Sequence, residues 1–429
     1  KRAGSGSGED GREAQGDPAM SRQEKLPTDW DRVKLRKLVA IDKESLGAKT
    51  PPDYEFLYAS LSDVNSGVIN RDLPLIKFSD APSRARRKVK KGDVLFSTVR
   101  PNLEGYARIN GQVNNLIAST GFAVLSPKKI TDTDFIYQYL YSYDIKRQIY
   151  ALVVGSNYPA VNSSDVANLK FSIPKSTSER QAIAALLSTW DEAIEKTERL
   201  IQAKEANLKG QIQRIMGKEA IEVNGWSMVH LGELFSEVTR KVGEKELTPY
   251  SISAGIGFVS QREKWGKDIS GSQHKNYTHL KAGEFSYNKG NSKRYQQGCV
   301  YLLKNGEICV PNVFISFKPK AKNVVPEFFE HYFIADYHAR ELKRYITSGA
   351  RSDGLLNLNK KDFFKIMVPC PSPDEQKAIA EALTASQHEI DLLKQLADKY
   401  KTQKRGLMQK MLTGEWRVKP EIVNQYREA

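Results

Sequence analysis

Arginine, asparagine and lysine gathered on short polar segments are the residues of this chain best suited to chemistry with a partner. Arg84, Arg86, Arg87, Lys88, Lys90 and Lys91 form a dense basic run. Arg100, Pro101 and Asn102 follow closely on the apolar Val94, Leu95 and Phe96, which places a guanidinium and an amide where a strand runs out into a loop. Gly155, Ser156, Asn157 and Tyr158 make a small polar loop. Further along, Lys289, Asn291, Lys293 and Arg294 lie between Tyr287 and Tyr295, and Ser348 to Arg351 stand where the first half has its Gly155 loop. Arginine matches the paired acceptors of guanine and asparagine the edge of adenine, whereas lysine and serine chiefly serve phosphates. The candidate DNA contacts are therefore Arg84, Arg86, Arg87, Lys88, Arg100, Asn102, Ser156, Asn157, Tyr158, Lys289, Asn291, Lys293, Arg294, Tyr295, Ser348 and Arg351. The blander reading of each is a turn or a solvated strand surface.

Residue patterns for catalysis are missing where they would be legible. Cys299, Cys309 and Cys370 are odd in number and lack C-x-x-C spacing, which argues against a zinc site or a disulfide framework. His388 and Glu389 are not followed by the second histidine of H-E-x-x-H. Gly255, Ile256 and Gly257 lack the last glycine of a dinucleotide fingerprint and read as a turn, and no phosphate loop is present. Asp374 and Glu375 are contiguous at a helix start, where capping explains them, whereas nuclease carboxylates converge on a metal from separate elements. The expectation is a non-catalytic chain with no cofactor and no metal of its own.

The chain has 429 residues, enough for two to four domains, and its net charge of +15 points to a polyanionic partner. No apolar run approaches the ~20 residues that span a bilayer, and no signal peptide is visible, so a soluble cytoplasmic protein is expected. Lys1 to Ala19 are rich in glycine, serine and acidic residues and read as a leader or linker, with residues 1–25 expected to be disordered.

An internal repeat organises the rest. Glu179, Ile183, Ala184 and Leu187 recur 196 residues later as Glu375, Ile379, Ala380 and Leu383. Trp30 parallels Trp226, Pro174 parallels Pro369, and Lys91 to Phe96 parallel Lys281 to Phe285 more loosely. Each helical copy opens with a capping box, Ser176 with Glu179 and Ser372 with Glu375. A seam then steps by four and three through Ile183, Leu187, Trp190, Ile194, Thr197, Ile201, Lys204, Leu208, Gln211 and Ile215. Its copy runs through Ile379, Leu383, Ser386, Ile390, Leu393, Ala397, Tyr400, Lys404, Leu407 and Met411. A period of 3.5 is a coiled-coil signature, and two matched helices of about 60 Å would pair with each other. The rival reading is an amphipathic helix lying on a globular core. Gly217 and Gly414 are the expected stops.

Between the helices, Phe56 to Tyr58, Val94 to Phe96, Phe122 to Leu125 and Phe171 to Ile173 read as strands, and 135–149 and 328–345 as helices. The fold class is α+β: two globular domains in pseudo-two-fold tandem, separated by a long antiparallel helical coiled coil. The expected segments are 26–175, 176–223, 224–371 and 372–429. The first globular segment holds 22 basic against 15 acidic residues and the second 22 against 14, while the helical segments hold 7 against 8 and 10 against 9. Two basic modules joined by nearly neutral helices suit a protein that grips two stretches of phosphate backbone.

Tandem variable halves, each followed by a similar long helix that begins at Glu179 or at Glu375 and Gln376, strongly resemble the specificity subunit of type I restriction–modification enzymes. Lys91 to Asn102 looks like a motif common in one half of that family, and Leu26 to Trp30 is similar to its usual start. The resemblance covers about residues 26 to 418. The second half departs from the motif, with Tyr287, Asn288 and Lys289 where Ser97 to Arg100 would stand. The resemblance implies that each globular domain reads one half of a split site in double-stranded DNA, and that the paired helices set the spacer. It further implies docking of two modification subunits, which use S-adenosylmethionine to methylate a flipped adenine. Two restriction subunits, driven by ATP and Mg, are implied as further partners. The alternative is a nucleic-acid-binding scaffold without sequence specificity.

Overall fold

A computed structural model describes residues 26–427, apart from 66, 71, 112–113, 154–158, 268–270, 291–293 and 347–354. The chain forms two compact units, one running to Ile194 and resuming at Lys399, the other spanning Glu195–Asp398.

In the first unit, strand Trp30–Lys34 pairs antiparallel with Lys170–Pro174, bringing the start of the unit beside the root of its long helix. Two four-stranded sheets carry the core. One has the order Leu75–Lys77, Glu55–Ala59, Leu116–Ser119, Ala85–Val89. The other has the order Val39–Ile41, Phe122–Pro127, Val94–Ser97, Tyr106–Arg108. Strand periodicity explains why Val94, Leu95 and Phe96 are all apolar. Leu95 packs with Val124 of its own sheet and with Leu116 and Ala118 of the other, while Val94 and Phe96 point the other way onto Phe135, Ile136 and Tyr139. A strand buried on both faces has no polar side to show.

The second unit repeats the terminal strand pair and one four-stranded sheet, while its other strands form two-stranded pairs, Tyr250–Ser253 with Gly257–Ser260 and Thr278–Lys281 with Glu307–Val310. Strand Ser227–His230 pairs with Met367–Cys370, and a four-stranded sheet has the order Phe235–Glu237, Ile315–Pro319, Phe285–Asn288, Cys299–Leu302. Phe235, Phe285, Phe317, Phe329 and Phe333 interlock on one face of it. The loose sequence parallel between Lys91–Phe96 and Lys281–Phe285 marks one turn used twice. The Lys90 amide donates to Asp93 and the Lys281 amide to Glu284, both at 2.8 Å. Gly92 and Gly283 supply positive φ, +88° and +82°.

The span 135–149 is two helices, Thr133–Leu140 and Tyr143–Val153, because the Ser142 hydroxyl caps a new start by accepting from the Ile145 amide. Its counterpart breaks likewise into Pro326–Ile334 and Ala339–Leu342, around Asp336 at φ +63°.

The seams form helices Thr177–Met216 and Pro373–Met411. In the first unit Ile183 and Leu187 share a core with Met408 and Met411, and Trp190 meets Tyr400 edge-on at 5.8 Å. In the second, Ile201, Leu208 and Ile212 share a core with Leu383, Ile390 and Ala397, and Lys204 pairs with Glu389 at 2.7 Å. Within each unit the paired numbers rise on one helix as they fall on the other, so the helices run antiparallel. The first seam ends differently from the simple repeat: Ile212 and Met216 are buried in place of Gln211 and Ile215, a step of four where 3.5 would drift off the contact.

The capping box is complete at the second helix, where the Ser372 amide and Glu375 carboxylate are 2.9 Å apart. At the first, the Glu179 amide donates to Ser176, but the Glu179 carboxylate accepts from Arg417, 2.7 Å away. Arg417 also pairs with Asp29, and Gly414 sits against Pro27 and Trp30. The segment after the second helix is thus docked on the first unit.

Candidate nucleic-acid interface

The basic run becomes strand Ala85–Val89 at the edge of its sheet, and alternation splits it. Arg87 lies on the side of Ala118 and forms an ion pair of 3.0 Å with Asp42. Asp42 is itself fixed by the Val124 amide and the Ser163 hydroxyl. Arg86 and Lys88 point to the opposite face, where Lys88 stands in register with Ile117 and Tyr58. The Arg86 guanidinium lies 4.7 Å from the centre of the Phe78 ring, which keeps it ordered and half-exposed. Lys90 pairs with Glu44, holding that carboxyl below its ordinary range. Arg84 is exposed in the turn before the strand.

Two loops far apart in sequence are brought together in each unit. In the first, Val99 bridges Ala160 and the Arg100 amide donates to Pro159 at 2.8 Å, so the turn that begins at Arg100 is tied to Pro159 and Ala160. In the second, Gly290 bridges Leu355 and the Leu356 amide donates to Lys289 at 3.0 Å. Both junctions lie just past a strand that follows the shared turn, Val94–Ser97 and Phe285–Asn288. The departure at Tyr287 to Lys289 therefore occupies the same place in the fold while carrying different side chains.

Arg294 is exposed, 5.4 Å from the Tyr295 ring centre, and its guanidinium lies where a side chain at residue 255 would project, so Gly255 leaves room for it. Tyr295 is only 2% exposed and donates to the Ile334 carbonyl, which makes it a support for Arg294 more than a contacting group. The Lys289 ammonium approaches the Leu358 carbonyl at 3.5 Å. Ser156, Asn157, Tyr158, Asn291, Lys293, Ser348 and Arg351 lie outside the described residues.

Several exposed groups on these faces escape a search for charged runs. Leu103 is 68% exposed beside Asn102, and Ile256 is 77% exposed at the tip of hairpin Tyr250–Ser260, the turn expected at Gly255 to Gly257. Lys264 lies 4.8 Å from the Trp265 ring centre, and partial burial pushes its pKa below the usual lysine value. The only signal in the sequence was an isolated apolar residue inside a polar turn.

No group of three or more metal-ligating side chains occurs among the described residues, and no described helix is long and apolar enough to cross a membrane. The chain thus forms two α+β units, each rich in basic residues and each with a strand exit bridged to a segment distant in sequence, a surface suited to a polyanionic partner.

Residues 27–205 and 224–401 each match the type I restriction modification DNA specificity domain, and the chain belongs to that family. It is a specificity subunit, the DNA-recognition component of such a system and not its catalytic part. A specificity subunit of the type I restriction enzyme MjaIX from Methanocaldococcus jannaschii is 24% identical over 451 aligned residues, covering 92% of this chain and 95% of the relative. The crystal structure of the type I restriction-modification S subunit from M. genitalium is 17% identical, with a TM-score of 0.56 over 91% of this chain and 98% of that one. A chain from a structural study of assembly and conformational transition in the type I system is 20% identical, also with a TM-score of 0.56, over 91% of this chain and 100% of that one. Both structural likenesses support the fold.

Proposed function

We propose that this specificity subunit reads a bipartite, gapped target in double-stranded DNA, one part through residues 26–175 and the other through 224–371. The paired helices 176–223 and 372–429 dock two modification subunits that carry S-adenosylmethionine, with ATP- and Mg-dependent restriction subunits as further partners, in a prokaryotic cytoplasm. The observation that carries this reading is the duplicated junction: the same turn, strand exit and loop pairing occurs in both units, at 99–100 with 159–160 and at 289–290 with 355–356. The same junction carrying different residues suits the reading of two independent base sequences, since phosphate contacts position a reader and base contacts specify. The concentration of charge in the same two segments supports it, +7 and +8 against −1 and +1 in the helices.

Long-read sequencing of modified adenines in the host, with and without the gene, tests the proposal. The expected result is a split motif with a fixed gap that vanishes on deletion. Its persistence, or a contiguous motif, would overturn the reading and favour a scaffold that binds nucleic acid without sequence preference.

A further inference from the structure

The turn from Arg100 to Glu104 is held more firmly than an idle surface loop requires. Arg100 and Glu104 both adopt the left-handed conformation, φ +48° and +56°, two of five such non-glycine residues described. Left-handed backbone is disfavoured for residues with a Cβ and persists only where the surroundings over-determine it. Here they do. The Arg100 amide donates to Pro159, Pro101 is buried and its carbonyl accepts from the Tyr106 hydroxyl, and Lys146 pairs with Glu104 at 2.5 Å. The bracket presents Asn102 and Leu103 to solvent, Leu103 at 68% exposure. An ordered amide next to an ordered apolar tip, in the segment 26–175 of net charge +7, suits one ligand chemistry. An adenine edge offers the amide a donor and an acceptor, and a thymine methyl offers the leucine an apolar contact.

We propose that the Arg100–Leu103 turn is a preformed base-reading element of the first unit, with Asn102 on an adenine edge and Leu103 against the methyl of a neighbouring thymine. This rests on the reading of the unit as a DNA-recognition domain. Lys146 is a positioning residue, acting through Glu104.

The test is selection of duplexes from a randomised pool by the full chain, followed by sequencing, for the parent and for Asn102→Ala, Leu103→Ala, Lys146→Ala and Lys146→Arg. The parent is expected to retain a two-part motif. Asn102→Ala and Leu103→Ala should each cut the preference at one or two adjacent A·T positions, in one part only, by about tenfold. Lys146→Ala should blur the same positions and Lys146→Arg should restore them. Both tip residues are exposed, so thermal unfolding of their variants should match the parent. An unchanged parent motif in the tip variants, or uniformly weaker retention with base preference intact, overturns the proposal and leaves the domain reading standing. No motif in the parent overturns both.

Discussion

Arg180 and Asp132 form a buried ion pair, each about 6% exposed, with Nε and Oδ1 2.7 Å apart. The guanidinium also donates to the Pro174 carbonyl, tying the root of the first long helix to the segment entering Thr133–Leu140. In the second unit Gln376 does this without charge: its oxygen accepts from the Val325 amide and its nitrogen donates to Pro371. Removing one partner of a buried pair strands the other. Asp132→Ala should therefore destabilise the first unit by about 3–5 kcal/mol, whereas Gln376→Ala should cost the second about 1–3 kcal/mol; denaturant unfolding of each variant measures both. The second unit carries its own pH dependence. Burial holds His331 down at about 4 and His338 at about 3, and pushes Asp336 up to about 6. Near pH 5 the unfolded chain protonates both imidazoles, whereas the folded unit keeps them neutral and protonates Asp336. The unfolded state then binds about one proton more, so stability falls as pH drops below 6.5. The first unit has Gln138 at the place of His331. His331→Gln should flatten that acid-side fall while leaving stability at pH 7 little changed, as thermal melts between pH 7 and 5 would record.

At the scale of elements, much was legible because period carries burial. The helical seams and the doubly buried strand at Val94 announce themselves by spacing alone. The break at Ser142 did not, since a serine within an apolar helix pattern looks permissive until its hydroxyl is seen to cap. Strand alternation was also the missing step in reading Arg84 to Lys91, where Arg87 turns to Asp42 while Arg86 and Lys88 turn to the opposite face, half-buried beside Phe78 and Ile117. The shared turn gives a graded test. A Cβ on Gly92 would come within 2.2 Å of the Ile130 side chain, whereas one on Gly283 meets open space, and both positions have positive φ. Gly283→Ala should cost about 1–2 kcal/mol of backbone strain. Gly92→Ala should cost more, and the difference in unfolding midpoint between the two variants checks the packing at Ile130.

For the molecule as a whole, the repeat and the segregation of charge are legible in the sequence, because spacing and net charge do not depend on the individual residues of the loops. The docking of the closing segment on the first unit is not. It depends on Arg417 reaching Glu179 and Asp29, 238 and 388 residues away, and no local pattern encodes such a pairing. On the proposed reading the bases are hidden for a related reason: they depend on individual side chains past the shared strand exit, where spacing and period carry no information. The most direct measurement of the central claim is to replace residues 26–175 with the corresponding segment of another family member and sequence the modified DNA. The account predicts that one part of the split motif changes while the other part and the gap are retained. A change in both parts, or in neither, would contradict it.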